Sequence, residues 1–226
     1  CSSVLRDVSR RASSFPIEMQ LSFKALAHSG VRREHLQSAR PSTLRLMLGR
    51  DVWFPHEIIA PPFSSRLSTV TVIRMIHDSV AEIAQTLSRC PLTRLHLNIW
   101  RHECDEADAD AIAQHLPLLT ELDCTALTES ATARLLMGSL PALRSLRARY
   151  LPPPSRLDRL PGIGGITRLS LASFAPHDCQ LLRHLPALRQ LSLHVFCSPY
   201  LANAIDLRDL LEVEDLQLAL TVRLLE

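Results

Sequence analysis

The sequence predicts an α/β solenoid, a fold in which repeated strand–helix units stack on one shared core. Two observations support this: a short apolar phrase recurs every 22 to 27 residues, and segments with helical apolar spacing lie between successive phrases. A unit of this length cannot bury its own apolar side, so neighbouring units must complete a common core. The phrase, Leu-x-x-Leu-x-Leu with conservative variants, begins at Leu67, Leu92, Leu119, Leu143, Ile166, Leu188 and Val213.

The composition suits a core of aliphatic side chains. Apolar residues make up 46% of the 226 residues and aromatic residues only 4%. Leu, Ile and Val must therefore do the packing, at roughly 1.5–3 kcal/mol for each fully buried side chain. We expect one domain, because a solenoid grows by adding units to the same core.

Charge and cysteine content narrow the class of protein further. The formal net charge of +2 is too small to indicate nucleic-acid binding by itself. Lys24 is the only lysine, which either a GC-rich genome or selection against ubiquitination would produce. The six cysteines include no Cys-x-x-Cys pair, so free thiols and a reducing, cytoplasmic location are expected. No apolar run approaches the length of a membrane span, and no membrane association is predicted.

The chain divides into three predicted parts. Residues 1–14 are rich in Ser and Arg and are expected to form a flexible leader. Residues 15–40 are predicted to form an N-terminal helical cap on the first repeat, and residues 41–226 a solenoid of about seven to eight units. The helical spacing in the cap is that of Phe15, Met19, Phe23 and Leu26.

Each unit is predicted to contain a strand, a turn, a helix and a Leu-Pro return to the next strand. Ser79 and Glu82 have the spacing of a capping box at the start of one helix. Asp108 and Asp110 suit the positive end of another helix dipole. The expected helices span about 79–87, 107–116, 131–140 and 178–185.

With these strands, convex helices and returns such as 184–193 (His-Leu-Pro-Ala-Leu-Arg-Gln-Leu-Ser-Leu), residues 41–226 resemble the leucine-rich repeat superfamily. The helical variety is the most similar, as in ribonuclease-inhibitor-like and F-box-associated repeats. The resemblance implies a horseshoe with a parallel sheet on its concave face and helices outside. The chain departs from many such families in lacking the Asn or Cys that forms a ladder after each strand.

Two narrower resemblances bear on function. Residues 15–19 (Phe-Pro-Ile-Glu-Met) followed by Trp53 resemble part of an F-box, which would imply a substrate receptor of a ubiquitin ligase. The lysine-poor composition and Ser/Arg-rich leader resemble effectors that plant-pathogenic bacteria inject into host cells, which would imply the host cytosol. Both are analogies of composition and short motif.

Alternation along each strand turns the variable positions of the phrase onto the concave face. There an acidic pair on one strand lies between basic strips on its neighbours, a pattern that suits a protein partner of complementary charge. Alternatively, neighbouring strands simply pair opposite charges with no partner involved. The predicted partner-binding residues are Arg94, His96, Glu121, Asp123, Arg147, Arg149, Tyr150, Arg168, Gln190 and His194.

The leading hypothesis is a non-enzymatic module for protein recognition through the concave face and rim. The alternative is the substrate-recognition part of a ubiquitin ligase or another effector enzyme, with its catalytic domain outside this chain. Nucleic-acid binding is disfavoured, because Glu121 and Asp123 interrupt the basic surface. Neither a small-molecule substrate nor a cofactor is expected.

The loop 100–106 holds the densest cluster of chemically reactive side chains. The His, Cys and Asp residues of this cluster lack the paired spacing of a structural zinc site. An exposed rim also seldom supplies the shaped pocket that a catalytic cysteine needs. We therefore predict neither a metal site nor a catalytic site, and expect a solvated loop. The residues considered are His102, Cys104, Asp105 and His96.

Overall fold

A computed structural model describes residues 18–22, 41–47, 59, 63–75, 79–99, 103–152, 165–173, 185–197 and 213–222. Within these ranges, nine strands form one open sheet in which neighbours in the chain are neighbours in the sheet, and every pair is parallel. The predicted α/β class with a parallel sheet is confirmed. The strands are β1 (Glu18–Ser22), β2 (Thr43–Met47), β3 (Thr69–Met75), β4 (Arg94–Ile99), β5 (Glu121–Cys124), β6 (Ser145–Ala148), β7 (Arg168–Leu171), β8 (Gln190–Cys197) and β9 (Asp215–Val222).

Three α-helices lie in the crossovers of the described chain, and each begins at a side-chain cap. Ser79 accepts a hydrogen bond from the Ala81 N–H, and Thr128 accepts one from the Ala131 N–H. Asp105 and Asp108 form a reciprocal capping box. The helices are α1 (Val80–Leu87), α2 (Glu106–His115) and α3 (Glu129–Arg134); α3 continues into a π-helical turn, Leu135–Ser139, and a 3₁₀ helix, Phe63–Arg66, precedes β3.

The last two apolar positions of each phrase form two buried rows that cross the sheet. Strand register places these positions directly beside one another from β2 to β8. All of them are at most 3% exposed. The rows are Leu44, Val70, Leu95, Leu122, Leu146, Leu169 and Leu191, and Leu46, Val72, Leu97, Cys124, Ala148, Leu171 and Leu193.

In the part of the chain that the structure describes, the helices cover one side of the sheet. Ile83 of α1, Ile112 of α2 and Ala131 of α3 belong to the same buried cluster as the two strand rows. The helices also contact one another in chain order, α1 with α2 and α2 with α3. The other side of strands β2–β9, which we call the open face, therefore carries the alternate residues of each strand.

A ladder of hydroxyl groups joins successive units at the start of the strands. The residue just before each of several strands donates its side-chain O–H to the backbone carbonyl of the preceding unit, at 3.0–3.2 Å. The same carbonyls also accept backbone N–H groups, so hydrogen bonds concentrate at this edge. The donors and acceptors are Ser68 to Ser42, Thr93 to Ser68, Thr120 to Thr93, and Thr167 to Arg144.

The predicted helical cap is wrong where the structure describes it, because Glu18–Ser22 is strand β1. Met19 pairs with Leu44 and Leu21 with Leu46, which continues the register of the repeats. The segment alternates polar and apolar residues with the period of a strand, and the edge of β2 offers unpaired backbone groups to it. The leader 1–14 and the rest of 15–40 lie outside the described residues, as does most of the expected helix 178–185.

Candidate functional site

The open face carries two parallel rows of residues that run across the sheet. Register aligns each row strand by strand, and the side chains described in these rows are exposed or half-buried. The first row is Thr43, Thr69, Arg94, Glu121, Ser145, Arg168, Gln190 and Asp215. The second is Arg45, Thr71, His96, Asp123, Arg147, Ser170, Ser192 and Gln217.

Five predicted site residues meet at the centre of this face and form what we call the ionic cluster. Arg94 Nε lies 3.5 Å from Glu121 Oε2. His96 bridges both acids, with Nε2 3.7 Å from Glu121 Oε1 and Nδ1 3.4 Å from Asp123 Oδ2. Arg147 Nη1 donates to Asp123 Oδ2 at 3.5 Å. Parallel register across β4, β5 and β6 thus produces the alternation of charge that the sequence predicts.

Exposure differs between the cations and anions of the cluster. The Arg94 and Arg147 side chains are 60% and 46% exposed, whereas those of Glu121 and Asp123 are 26% and 29% exposed. Neighbouring side chains therefore cover most of each carboxylate, while much of each arginine side chain remains accessible to solvent. Exposed pairs of this kind contribute only about 0–1 kcal/mol to stability.

An ion pair on the helical side of the molecule shows how loose the cluster is. Arg134 of α3 holds Asp110 of α2 in a two-point contact, with Nε–Oδ1 at 2.6 Å and Nη2–Oδ2 at 3.2 Å. The hydrogen bond from Arg134 lowers the pKa of Asp110. The ionic cluster has no contact shorter than 3.4 Å among its ion pairs. Arg134 already uses two of its N–H donors on Asp110, whereas Arg94 and Arg147 keep more of their donors available for another acceptor.

A second charged group lies where the chain leaves β6. The Arg149 guanidinium lies 4.0 Å from Glu103 and 5.0 Å from the centre of the Tyr150 ring. Glu103 was not among the predicted site residues. It comes from the segment before α2, and backbone hydrogen bonds of its neighbour Cys104 to the segment after β5 place it there.

Shallow depressions occupy both halves of the open face. A depression of about 450 Å³ over β2–β6 combines Thr and Ile73 side chains with Arg45, His96, Asp123 and Arg147. A smaller one, of about 150 Å³, lies over β7–β9 and is lined by Arg168, Asp215 and uncharged Ser and Gln residues. The open face is thus strongly charged over β4–β6 and mostly neutral and polar over β7–β9.

The remaining predicted residues occupy separate parts of this surface. Arg168 and Gln190 line the smaller depression and do not contact the ionic cluster. His194 pairs in register with Ala219, and its side chain lies outside what the structure describes. Arg45 lines the larger depression but was missed. Arg45 lies between the buried Leu44 and Leu46, and this alternation in the sequence could have predicted its position on the open face.

The loop before α2 is partly buried, contrary to the expected solvated loop. Cys104 is 1% exposed, and its Sγ lies 3.6 Å from that of Cys124. The Cys124 thiol and burial raise the pKa of Cys104, so this thiol stays neutral and is a poor nucleophile. Leu127 forms an isolated parallel bridge with Cys104, and this pairing draws the cysteine under the helical layer.

Metal ligands do not converge in the described part of the chain. No group of three or more His, Cys, Asp or Glu side chains there is placed to hold a metal ion. His102 and Trp100 lie outside these residues. Among the described helices, none is both long and apolar enough to cross a bilayer.

Comparison with known proteins adds no family to this picture. No protein-family model matches the chain, and no curated protein matches it.

Proposed function

We propose that this chain is a leucine-rich repeat solenoid whose open face is concave and binds another protein. The support for the repeat assignment is the phrase itself, together with nine parallel strands in chain order and helices on one side. In such a solenoid the helical layer is wider than the strand layer, so the sheet curves away from the helices. The open face would then be the inner wall of the curve.

The observation that carries the proposal is the extent and chemistry of the open face. From β2 to β9 the face spans seven strand spacings, or about 34 Å at 4.8 Å per strand. Its depressions are shallow, and the larger one is lined mainly by polar groups. A surface of this size fits a macromolecular interface of about 800 Å² per partner better than an enclosed site for a small molecule.

The distribution of charge would give the interface specificity. The ionic cluster alternates cations and anions, so a mismatched partner would bring like charges together. Arg149 stacked beside Tyr150 supplies the residue types that are enriched at the energetic centres of interfaces. The proposed module needs no catalytic activity of its own.

Free thiols favour a reducing compartment for this function. Cys104 and Cys124 are both buried, and neither forms a disulfide. Although Cys104 and Cys124 lie within contact distance, they remain thiols. We propose a cytosolic location on this basis.

The test is a charge reversal on the open face. In a pull-down with the 226-residue chain as bait, Arg147→Glu/Arg149→Glu should lose partner capture, because it places like charges beside Asp123 and Glu103 and removes two guanidinium groups from the proposed interface. The matched control is Arg66→Glu/Arg89→Glu, which changes two exposed arginines on the segments leading into β3 and β4.

Both double variants should keep the wild-type circular dichroism spectrum. Full capture by the Arg147/Arg149 variant would contradict the proposed function. Loss of capture by both variants would show a general charge effect and would contradict it too.

A further inference from the structure

Two arginines of the open face have no anionic partner among the described residues. Arg45 on β2 and Arg168 on β7 are both exposed, and neither forms an ion pair or side-chain hydrogen bond with any described residue. They stand on either side of the ionic cluster, two strands before β4 and one strand after β6. Among the described residues, the face therefore offers one guanidinium without an ion pair on each flank.

The arginines between these flanks are only partly neutralised. Arg94 and Arg147 approach their carboxylates at 3.5 Å, and Arg149 approaches Glu103 at 4.0 Å. A guanidinium has five N–H donors, so each can take a second acceptor without leaving its first. The strand residues of this face, and the residue after β6, supply several arginines but only two carboxylates from β2 to β7. These are Arg45, Arg94, Arg147, Arg149 and Arg168 against Glu121 and Asp123.

We infer that the partner docks an extended acidic segment across the strands of the open face, with carboxylates at its two ends and an uncharged polar centre. This inference rests on the proposed function and specifies the partner's chemistry. The end carboxylates would meet Arg45 and Arg168. The centre would lie over Glu121 and Asp123, which would repel a third negative charge there.

The dimensions of the face set the spacing of the two acidic ends. Arg45 and Arg168 are five strands apart, which is about 24 Å at 4.8 Å per strand. An extended chain advances about 3.3 Å per residue, so about eight residues cover this distance. Residues eight apart in an extended chain also point to the same side, so both carboxylates can face the sheet.

Nucleic acid fits this surface less well. A strand of nucleic acid carries a phosphate at every nucleotide, so a strand laid between the two arginines would press phosphates against Glu121 and Asp123. An acidic protein segment can instead leave its centre uncharged. The arrangement of Glu121 and Asp123 between the unpaired arginines therefore favours a protein.

Three capped peptides of equal length test the pattern of charge, and their binding to the full chain is followed by fluorescence anisotropy. The first has two Glu residues eight positions apart in a Ser/Thr/Ala background, the second has both Glu residues adjacent at its centre, and the third has Gln in place of both. We expect the first to bind about three- to tenfold more tightly than either other peptide, since each exposed charge contact contributes up to about 1 kcal/mol.

The protein variants test where that preference arises. Arg45→Gln/Arg168→Gln should reduce binding of the first peptide to the level of the Gln peptide, whereas the control Arg66→Gln/Arg89→Gln should leave it unchanged. Equal binding of the first two peptides, or no saturable binding at millimolar peptide, would overturn the inference. So would displacement of the first peptide by a thymidine oligonucleotide that binds the same arginines more tightly.

These outcomes are separate from those of the charge-reversal test. If the peptides fail while Arg147→Glu/Arg149→Glu still loses partner capture, the inference fails and the proposed function stands. If that variant keeps full capture, the proposed function fails whatever the peptides do.

Discussion

The two sides of the sheet differ in burial and in residue type, and two adjacent residues of β5 show the difference. Leu122 points to the helices and is fully buried, while Asp123 points to the open face and is 29% exposed. Along the helix-facing side, every strand from β2 to β8 repeats small or aliphatic residues. On the open face the rows mix cationic, anionic and uncharged polar residues. The fold is specified on one side, which leaves the other free to carry function.

The largest expected effect comes from breaking the helix-facing side. Leu122→Ala should lower the free energy of unfolding by about 2–5 kcal/mol, because it removes fully buried methyl groups and leaves a cavity. Asp123→Ala should lower it by no more than about 1 kcal/mol, because it removes only exposed ion pairs. Urea denaturation of both variants measures the difference. Similar losses from the two substitutions would mean that the two sides of the sheet are not distinct.

A smaller effect is expected from removing the ion pair between Arg134 and Asp110 on the helical side. Arg134 holds the pKa of Asp110 below its ordinary value of 3.8, so the charged carboxylate stabilises the folded state. That contribution is fully present above the unfolded pKa and is lost as pH falls through the lowered folded pKa. Asp110→Asn should therefore lower the Tm at neutral pH, and the gap from wild type should close in strong acid.

Asp123→Asn is the matched variant on the open face. Its contacts of 3.4–3.5 Å are longer than the 2.6 Å contact of Asp110, so its loss of Tm at neutral pH should be smaller. Burial raises the pKa of Asp108, two residues before Asp110 on α2, and the effect of Asp108 on stability runs in the opposite direction with pH. Wild type and each variant share the contribution of Asp108, so comparing their Tm values at the same pH removes it. A larger loss from Asp123→Asn would contradict the view that the ionic cluster is held loosely.

Much of the helix-facing side could be predicted from the sequence, because its signal is repeated. Every phrase places two apolar residues at the same strand positions, so each repeat gives the same prediction of two buried positions. Residues 18–22 were predicted to be helical because Met19 also fits the helical spacing of Phe15, Phe23 and Leu26, whereas the structure pairs Met19 and Leu21 with β2. The β structure at Met19 depends on a neighbour 25 residues away in the chain, at Leu44.

The open face was predictable only in part. Alternation from the phrase is enough to place Arg94, Glu121 and Arg147 on it, but the contacts among them depend on strand register. Burial of Cys104 had no sequence signal, because its neighbours are polar and the bridge to Leu127 is tertiary. The hydroxyl ladder was missed because a ladder was sought after each strand, whereas Ser and Thr form it before the strand.

Arginine modification by phenylglyoxal, read by mass spectrometry with and without the bound partner, tests the central claim most directly. If the open face is the recognition surface, the partner should protect Arg94 and Arg147, whose side chains are about half exposed or more in the free chain. The exposed Arg89, which follows α1, should stay reactive in both states. Protection of Arg89 with unchanged reactivity of Arg94 and Arg147 would place the partner elsewhere and contradict the account.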